Sequence, residues 1–163
     1  MPIPWSILAR VAEWQTRRTQ NPLLERACGF ESHLGHPGNP YTEDVWDIEY
    51  LPDCEYIVHF AAETHVDNSI KDGRPFMRTN VEGTFNLVEL AKNLKRLKKF
   101  IHVSTDEVYG DMDDHFSINH TATEKDDIKP SSYYSATKAA SDMLVISANR
   151  TYGLPYLITR TCN

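Results

Sequence analysis

Phe100-Ile101-His102-Val103-Ser104-Thr105-Asp106-Glu107-Val108-Tyr109-Gly110 is a short apolar run that breaks abruptly into hydroxyl and carboxyl side chains. A run of this length, rich in β-branched and aromatic residues, reads as a buried strand of a parallel sheet. Two runs of the same kind flank it in the chain, Tyr56-Ile57-Val58-His59-Phe60 and Pro155-Tyr156-Leu157-Ile158-Thr159. Between the first two, the pattern predicts a helix from about Pro75 to Lys95, with Phe76, Val81, Phe85, Val88 and Leu94 on one stripe. Proline suits its first turn, and the basic group Lys92, Lys95, Arg96, Lys98 and Lys99 suits its carboxyl end. A second helix should run from Tyr133 to Tyr152, closed by Gly153 with Pro155 just beyond. Strands alternating with helices of this length give βαβ units and a parallel sheet with right-handed crossovers.

In such sheets ligands bind outside the carboxyl ends of the strands. Ala61-Ala62-Glu63-Thr64 follows the first strand and Thr105-Asp106-Glu107 follows the second, so both belong on one rim. Tyr134 and Lys138 stand at i and i+4, on one face of the second helix. A phenol with a resting pKa of about 10 is a poor base at neutral pH, and a neighbouring ammonium favours the phenolate. A tuned tyrosine beside two carboxyl groups can take one proton from an alcohol and move another to or from carbon.

The bulk numbers exclude several classes. With 163 residues the chain has room for one domain. A net charge of -6, a pI near 5.6 and the lack of a basic stripe argue against nucleic acid as a partner. No apolar run approaches the roughly 20 residues that span a membrane, and Met1-Pro2-Ile3-Pro4-Trp5 lacks the basic start of a signal peptide. Cys28, Cys54 and Cys162 are widely spaced and form no metal or redox motif, which fits a reduced cytoplasmic setting. His59, His65 and His102 read as packed or hydrogen-bonded residues rather than metal ligands. His115 and His120, near Asp111, Asp113 and Asp114, read as a surface insert.

The α/β rhythm covers residues 40–163 only. Residues 1–39 hold no strand-like run and end in Gly35-His36-Pro37-Gly38-Asn39-Pro40. The stretch from Val11 to His36 resembles a translated leucine transfer-RNA gene, the alternative being an ordinary divergent N-terminal extension. Val11-Ala12-Glu13 can be GTG GCC GAG and Leu34-Gly35-His36 can be CTC GGC CAC, its reverse complement, as an acceptor stem requires. Gly29-Phe30-Glu31-Ser32 can be GGG TTC GAG TCC, which has the form of a T-arm. The expected organisation is therefore a leader without homology over 1–39, then a nucleotide-binding segment over 40–163.

The motifs His59-Phe60-Ala61-Ala62-Glu63-Thr64-His65-Val66-Asp67, Thr79-Asn80-Val81-Glu82-Gly83-Thr84, Ser104 to Gly110, and Pro130 to Asp142 occur in the order and with the gaps of one family. Residues from about 44 to 163 resemble the extended short-chain dehydrogenase/reductase family, and within it the dTDP-glucose 4,6-dehydratases. Tyr-x-x-x-Lys alone is weak, whereas Thr-Asp-Glu-Val-Tyr-Gly ahead of it is specific. The resemblance implies a partial Rossmann-like, doubly wound parallel sheet that lacks its first βαβ unit and its C-terminal substrate-binding part. It implies NAD as cofactor, a nucleotide-sugar substrate, a homodimeric parent enzyme and a lyase reaction that is redox-neutral overall.

By the same resemblance the catalytic residues are Thr105, Asp106, Glu107, Tyr134 and Lys138. Tyr134 takes the proton of the sugar C4 hydroxyl, Lys138 holds the phenolate and the nicotinamide ribose, and Thr105 hydrogen-bonds the C4 oxygen. Glu107 removes the C5 proton and Asp106 protonates the leaving C6 hydroxyl. Asp44, Val45, Ala61, Ala62, Thr64, Thr79 and Ser104 join Tyr134 and Lys138 in holding NAD, and Asn80 supports the lysine or its water. Thr105 and Asn163 face the substrate. Three departures stand out. Tyr133 replaces a usual proline, no G-x-x-G-x-x-G or G-x-G-x-x-G is present to cradle a pyrophosphate, and the chain stops inside the segment that begins Arg160-Thr161-Cys162-Asn163. Such a fragment is expected to be inactive by itself. The rival readings are a non-catalytic remnant, a small binding module, or a related NAD-dependent nucleotide-sugar epimerase or decarboxylase.

Overall fold

A computed structural model of the chain describes residues 44–111 and 122–162. The leader over 1–39, His115, His120 and Asn163 lie outside the described residues. Three strands, β1 (Tyr56–His59), β2 (Lys99–Thr105) and β3 (Tyr156–Thr161), form one sheet in the order β1-β2-β3. Both pairings are parallel, with His59 opposite His102 and Ser104 opposite Arg160. Parallel neighbours need crossovers, and helices supply them.

After a short helix α1 (Val66–Lys71), the first crossover is a continuous helical run, α2, made of Arg74–Phe76, Met77–Glu82 and Gly83–Ala91. Its middle segment is a π-helix. That segment divides the expected stripe between the core and the surface. A π turn closes its hydrogen bonds one residue later than an α turn and shifts the phase of everything beyond it. Leu87, Val88 and Ala91 face the core, while Phe85 is 51% exposed and Val81 only half-buried. The run also ends at Ala91, short of Lys95. The basic group beyond it makes ion pairs, Lys92 with Glu89 and Lys98 and Arg96 with Glu55.

The second crossover helix, α3, spans Tyr133–Tyr152 as its sequence predicts. Ser132 caps it with a reciprocal pair of bonds: its Oγ accepts from Ser135 N, and Ser135 Oγ accepts from Ser132 N, both at 3.0 Å. Gly153 closes the other end at φ 75°, a conformation that favours glycine. Tyr133 occupies the first helical position, where proline would also fit, so the substitution leaves the cap intact.

One face of the sheet meets α2 and α3. Ile57, Phe100, Leu87, Val88, Ala91, Val145, Ala148 and Leu154 form a single buried cluster with Val45 and Ala61. Phe100 is fully buried, and burial of such a side chain is worth roughly 1.5–3 kcal/mol. Toward the carboxyl ends of the strands this apolar core gives way to buried polar side chains: His59, His102, Ser104, Thr84, Asn80, Ser141 and Asp142. The opposite face, with Val58, Ile101 and Val103 half-buried and Leu157 exposed, is not covered by any described helix.

Candidate active site

β2 ends at Thr105, and Asp106–Tyr109 turn at once into a single 3-10 helix. The Thr105 hydroxyl caps that turn. It accepts from Glu107 N at 3.3 Å and donates to Asp106 Oδ1 at 3.3 Å. The Tyr134 phenol, in the first turn of α3, lies near enough to Thr105 for that hydroxyl to favour its ionised form. Phe76 meets the Tyr134 ring edge to face, at 6.4 Å between centroids. Thr105, Asp106, Glu107 and Tyr134 are thus brought together at the mouth of the sheet. Burial pushes the Glu107 carboxyl up, and the neighbouring Asp106 and Asp111 charges add to the effect. A carboxylate raised in this way accepts a proton more readily than an ordinary one.

Tyr134 does not show the lowering expected from Lys138. Burial raises its phenol first, the Thr105 hydrogen bond opposes that, and the Glu107 and Asp106 charges push it further up. Helical spacing puts Lys138 on the correct face, but its Nζ donates to the Val103 carbonyl at 2.7 Å. Lys138 is buried, which brings its pKa down to about 8, with Asp142 pulling the other way.

The Asn80 amide is bonded to the first rim loop. Oδ1 accepts from Glu63 N at 2.8 Å, and Nδ2 donates to Glu63 O at 3.0 Å and to Thr137 Oγ1 at 2.9 Å. The loop of Ala61, Ala62 and Glu63, all buried, is thereby tied to α3 one residue before Lys138, while Thr64 is exposed. Thr79 is buried beside Asn80 in the π segment. Asp44 and Val45 lie at the far side of this rim. Val45 packs on Gly83, where any Cβ would come within 2.2 Å of Val45 Cγ1, and Asn86 Nδ2 donates to Val45 O at 3.1 Å. Burial raises the Asp44 carboxyl. Ser104 is buried with no aligned hydrogen-bond partner for Oγ among the described residues.

Three residues with no assigned role in the sequence stand behind this site. Asp142, one turn past Lys138, is completely buried. Its Oδ2 accepts from Arg160 Nε at 2.9 Å, and Arg160 Nη1 donates to Tyr109 Oη at 2.7 Å. The signal was available, because Tyr134, Lys138 and Asp142 repeat every four residues. Among the described residues no group of His, Cys, Asp and Glu could hold a metal ion, and no helix is long and apolar enough to cross a membrane.

A parallel three-stranded sheet with helical crossovers, its rim presenting a tyrosine, a buried lysine and paired carboxyl groups, defines an α/β protein of the Rossmann type. Comparison with known proteins narrows the class. Residues 48–163 match the model of the GDP-mannose 4,6 dehydratase family, and the chain belongs to that family. It is 45% identical to the low-salt glycan biosynthesis protein Agl12 of Haloferax volcanii, over 80% of this chain and 42% of that one. It is 48% identical to dTDP-glucose 4,6-dehydratase of Haemophilus influenzae, over 74% of this chain and 36% of that one. The crystal structure of DesIV, the dTDP-glucose 4,6-dehydratase of Streptomyces venezuelae with NAD and TYD bound, superposes with a TM-score of 0.62 at 45% identity, covering 68% of this chain and 32% of that one. The chain therefore spans less than half the length of these relatives.

Proposed function

We propose that this chain carries the chemical residues of a dTDP-glucose 4,6-dehydratase, a lyase that removes water from the sugar of a nucleotide-sugar. The observation that carries this reading is the single Thr105 hydroxyl bonded to the Asp106 carboxylate and facing the Tyr134 phenol, with the raised Glu107 carboxyl one residue on. An epimerase has no use for the carboxyl pair, so the pair favours dehydration.

The residues also fit NAD. Lys138 spends one of its three N–H donors on Val103 O, which leaves two for a ligand. Lys138, Tyr134 and Ser104 would hold the nicotinamide end, Ala61, Ala62, Thr64 and Thr79 the middle, and Asp44 with Val45 the adenosine end. NAD bound there supplies a transient oxidation at C4 of the sugar, which makes the C5 proton acidic. Tyr134 accepts the C4 hydroxyl proton while Thr105 donates a hydrogen bond to the C4 oxygen. Glu107 then takes the C5 proton and Asp106 gives a proton to the departing C6 hydroxyl. Two adjacent carboxyl groups with opposite tasks need separated pKa values, and the upward push on Glu107 suits the base.

A homodimer completes the proposal. Ile70, Met77, Val81, Phe85, Tyr133 and Leu144 line an open apolar groove between α2 and α3, and Ile70 is 68% exposed. Exposed apolar side chains gathered in one groove, rimmed by Lys71, Arg74, Arg78 and Glu82, support pairing of two copies through these helices.

The test is a chimera in which residues 48–163 replace the matching segment of the Haemophilus influenzae enzyme. In deuterium oxide it should convert dTDP-glucose to a product lighter by one water and carrying deuterium at C5. Glu107→Gln should abolish the deuterium incorporation. A folded chimera that binds NAD but converts no dTDP-glucose, or yields only a C4 epimer, defeats the reading.

A further inference from the structure

Behind the site, residues of three elements meet at one carboxylate. Asp142 of α3 lies one turn beyond Lys138 and is faced by His102 and Ser104 of β2 and by Arg160 of β3. Its Oδ2 is bonded to Arg160 Nε at 2.9 Å, while Oδ1 lies 3.4 Å from His102 Nε2 without an aligned hydrogen bond. His102 is itself stacked near His59 of β1, at 5.1 Å between ring centroids, and burial keeps both imidazoles neutral. Arg160 is the hinge of the group. Its other arm donates to Tyr109 Oη at 2.7 Å, and its guanidinium carbon lies 5.2 Å from the centre of the Tyr109 ring. Tyr109 is the last residue of the turn that carries Asp106 and Glu107.

We propose that Asp142 and Arg160 are positioning residues: a strut from α3 through β3 to Tyr109 that fixes the Thr105–Glu107 turn against Tyr134, with Asp142 as the buried counter-charge of Lys138. The inference rests on the reading of Tyr134 and Lys138 as site residues. Its physical basis is independent of that reading. Asp142 follows Lys138 by one turn on the same face of α3, both are buried, and a buried ammonium needs an opposite charge nearby to stay protonated. Charge-assisted hydrogen bonds are short and directional, so a guanidinium held by Asp142 on one arm fixes what it holds on the other.

The test uses the 163-residue chain with isotopically labelled lysine and no substrate. Nuclear magnetic resonance reads the Lys138 midpoint, with Lys138→Met as the assignment control. The wild-type midpoint should lie near 8. Asp142→Asn should lower it by about one pH unit or more, a tenfold change in the protonation equilibrium, and Asp142→Glu should restore most of the shift. Tyr109→Phe should leave the Lys138 midpoint in place yet speed amide exchange at Glu107 and Gly110 by about tenfold, because only the far arm of the strut is cut. An unchanged midpoint in Asp142→Asn overturns the counter-charge. Unchanged exchange in Tyr109→Phe overturns the strut, and that variant decides alone if Asp142→Asn does not fold. Neither readout requires turnover, so a failure of the dehydratase reading would be seen separately, in the chimera.

Discussion

Asn80→Ala should cost this fold more than any surface substitution can. The side chain is 1% exposed and makes three hydrogen bonds, two to the backbone of Glu63 and one to Thr137 Oγ1. Each neutral bond contributes about 1 kcal/mol net, but alanine also strands the Glu63 N–H and C=O in a buried loop, and an orphaned buried group costs about 1–3 kcal/mol. Thr137 is less affected, since its hydroxyl still donates to Tyr134 O at 2.8 Å. The sum is about 4 kcal/mol, a large part of the roughly 5–15 kcal/mol that stabilises a domain. With a urea dependence of about 1–3 kcal/mol per molar, the midpoint should fall by about 2 M. Asn80→Asp separates geometry from chemistry. It keeps the acceptor for Glu63 N but turns a carboxylate toward Glu63 O, so its folded-state pKa is raised. A raised carboxyl stabilises at low pH and loses that stability as pH rises through the folded pKa, so this variant should gain stability on acidification relative to Asn80→Ala. The assay is urea denaturation at two pH values, with hydrogen exchange at the Glu63 amide. An Asn80→Ala midpoint within about 0.5 M of wild type, or a Glu63 amide as protected as before, would refute the reasoning.

The remaining predictions are quickly checked. Burial lowers the His59 pKa to about 3 and carries His102 well below its ordinary value, so neither ring resonance should titrate between pH 5 and 8. Because these folded pKa values are depressed below the unfolded value of about 6.5, the unfolded chain binds the extra protons, and stability should fall as pH drops below 6.5, by up to about 1.4 kcal/mol per unit for each histidine. A midpoint near 6.5 for either ring contradicts this. Gly110→Ala should destabilise by well over 2 kcal/mol, since φ is 85° and the added Cβ would sit 2.1 Å from the Lys129 carbonyl oxygen. Gly153→Ala, at φ 75° with nothing within 4 Å, should cost only about 1 kcal/mol, and equal costs in denaturation would refute the steric argument. The DNA encoding residues 11–36 should fold on paper as a transfer-RNA cloverleaf; codons that break the pairing of Val11-Ala12-Glu13 with Leu34-Gly35-His36 would end that idea.

What was legible in the sequence is what depends on local pattern. The three strands and α3 follow from short apolar runs and from caps such as Ser132 and Gly153, which act within a few residues of themselves. The shared rim follows from topology, and with it the meeting of Thr105 and Tyr134. What was not legible depends on the fold being closed. The π segment at Met77–Glu82 has no composition cue, so the stripe of Phe76, Val81 and Phe85 was drawn through a phase shift. The protein partners of Lys138 and Asn80 are not legible for a related reason. Helical spacing predicts which face a side chain leaves from, but a long amine or an amide then takes whichever buried backbone group lacks a partner, here Val103 O and Glu63.

The polar layer at the carboxyl ends of the strands also bears on why the site is where it is. Stability alone does not favour it. A buried ion pair such as Asp142 with Arg160 is often no better than apolar side chains of the same size, and the two neutral histidines are a liability whenever the pH falls. Phe100 and Val145, a turn or two away, are fully buried and show that this chain fills such space with hydrocarbon where nothing else is required. The polar layer begins where the strands end at Ser104 and Thr105, and two of its members reach the rim through directional bonds: Asp142 through Arg160 to Tyr109, and Asn80 through Thr137 to the backbone of Tyr134. Rigid placement of proton donors and acceptors needs directional bonds, which an apolar layer cannot supply. The destabilising groups therefore mark the depth to which the site extends into the protein.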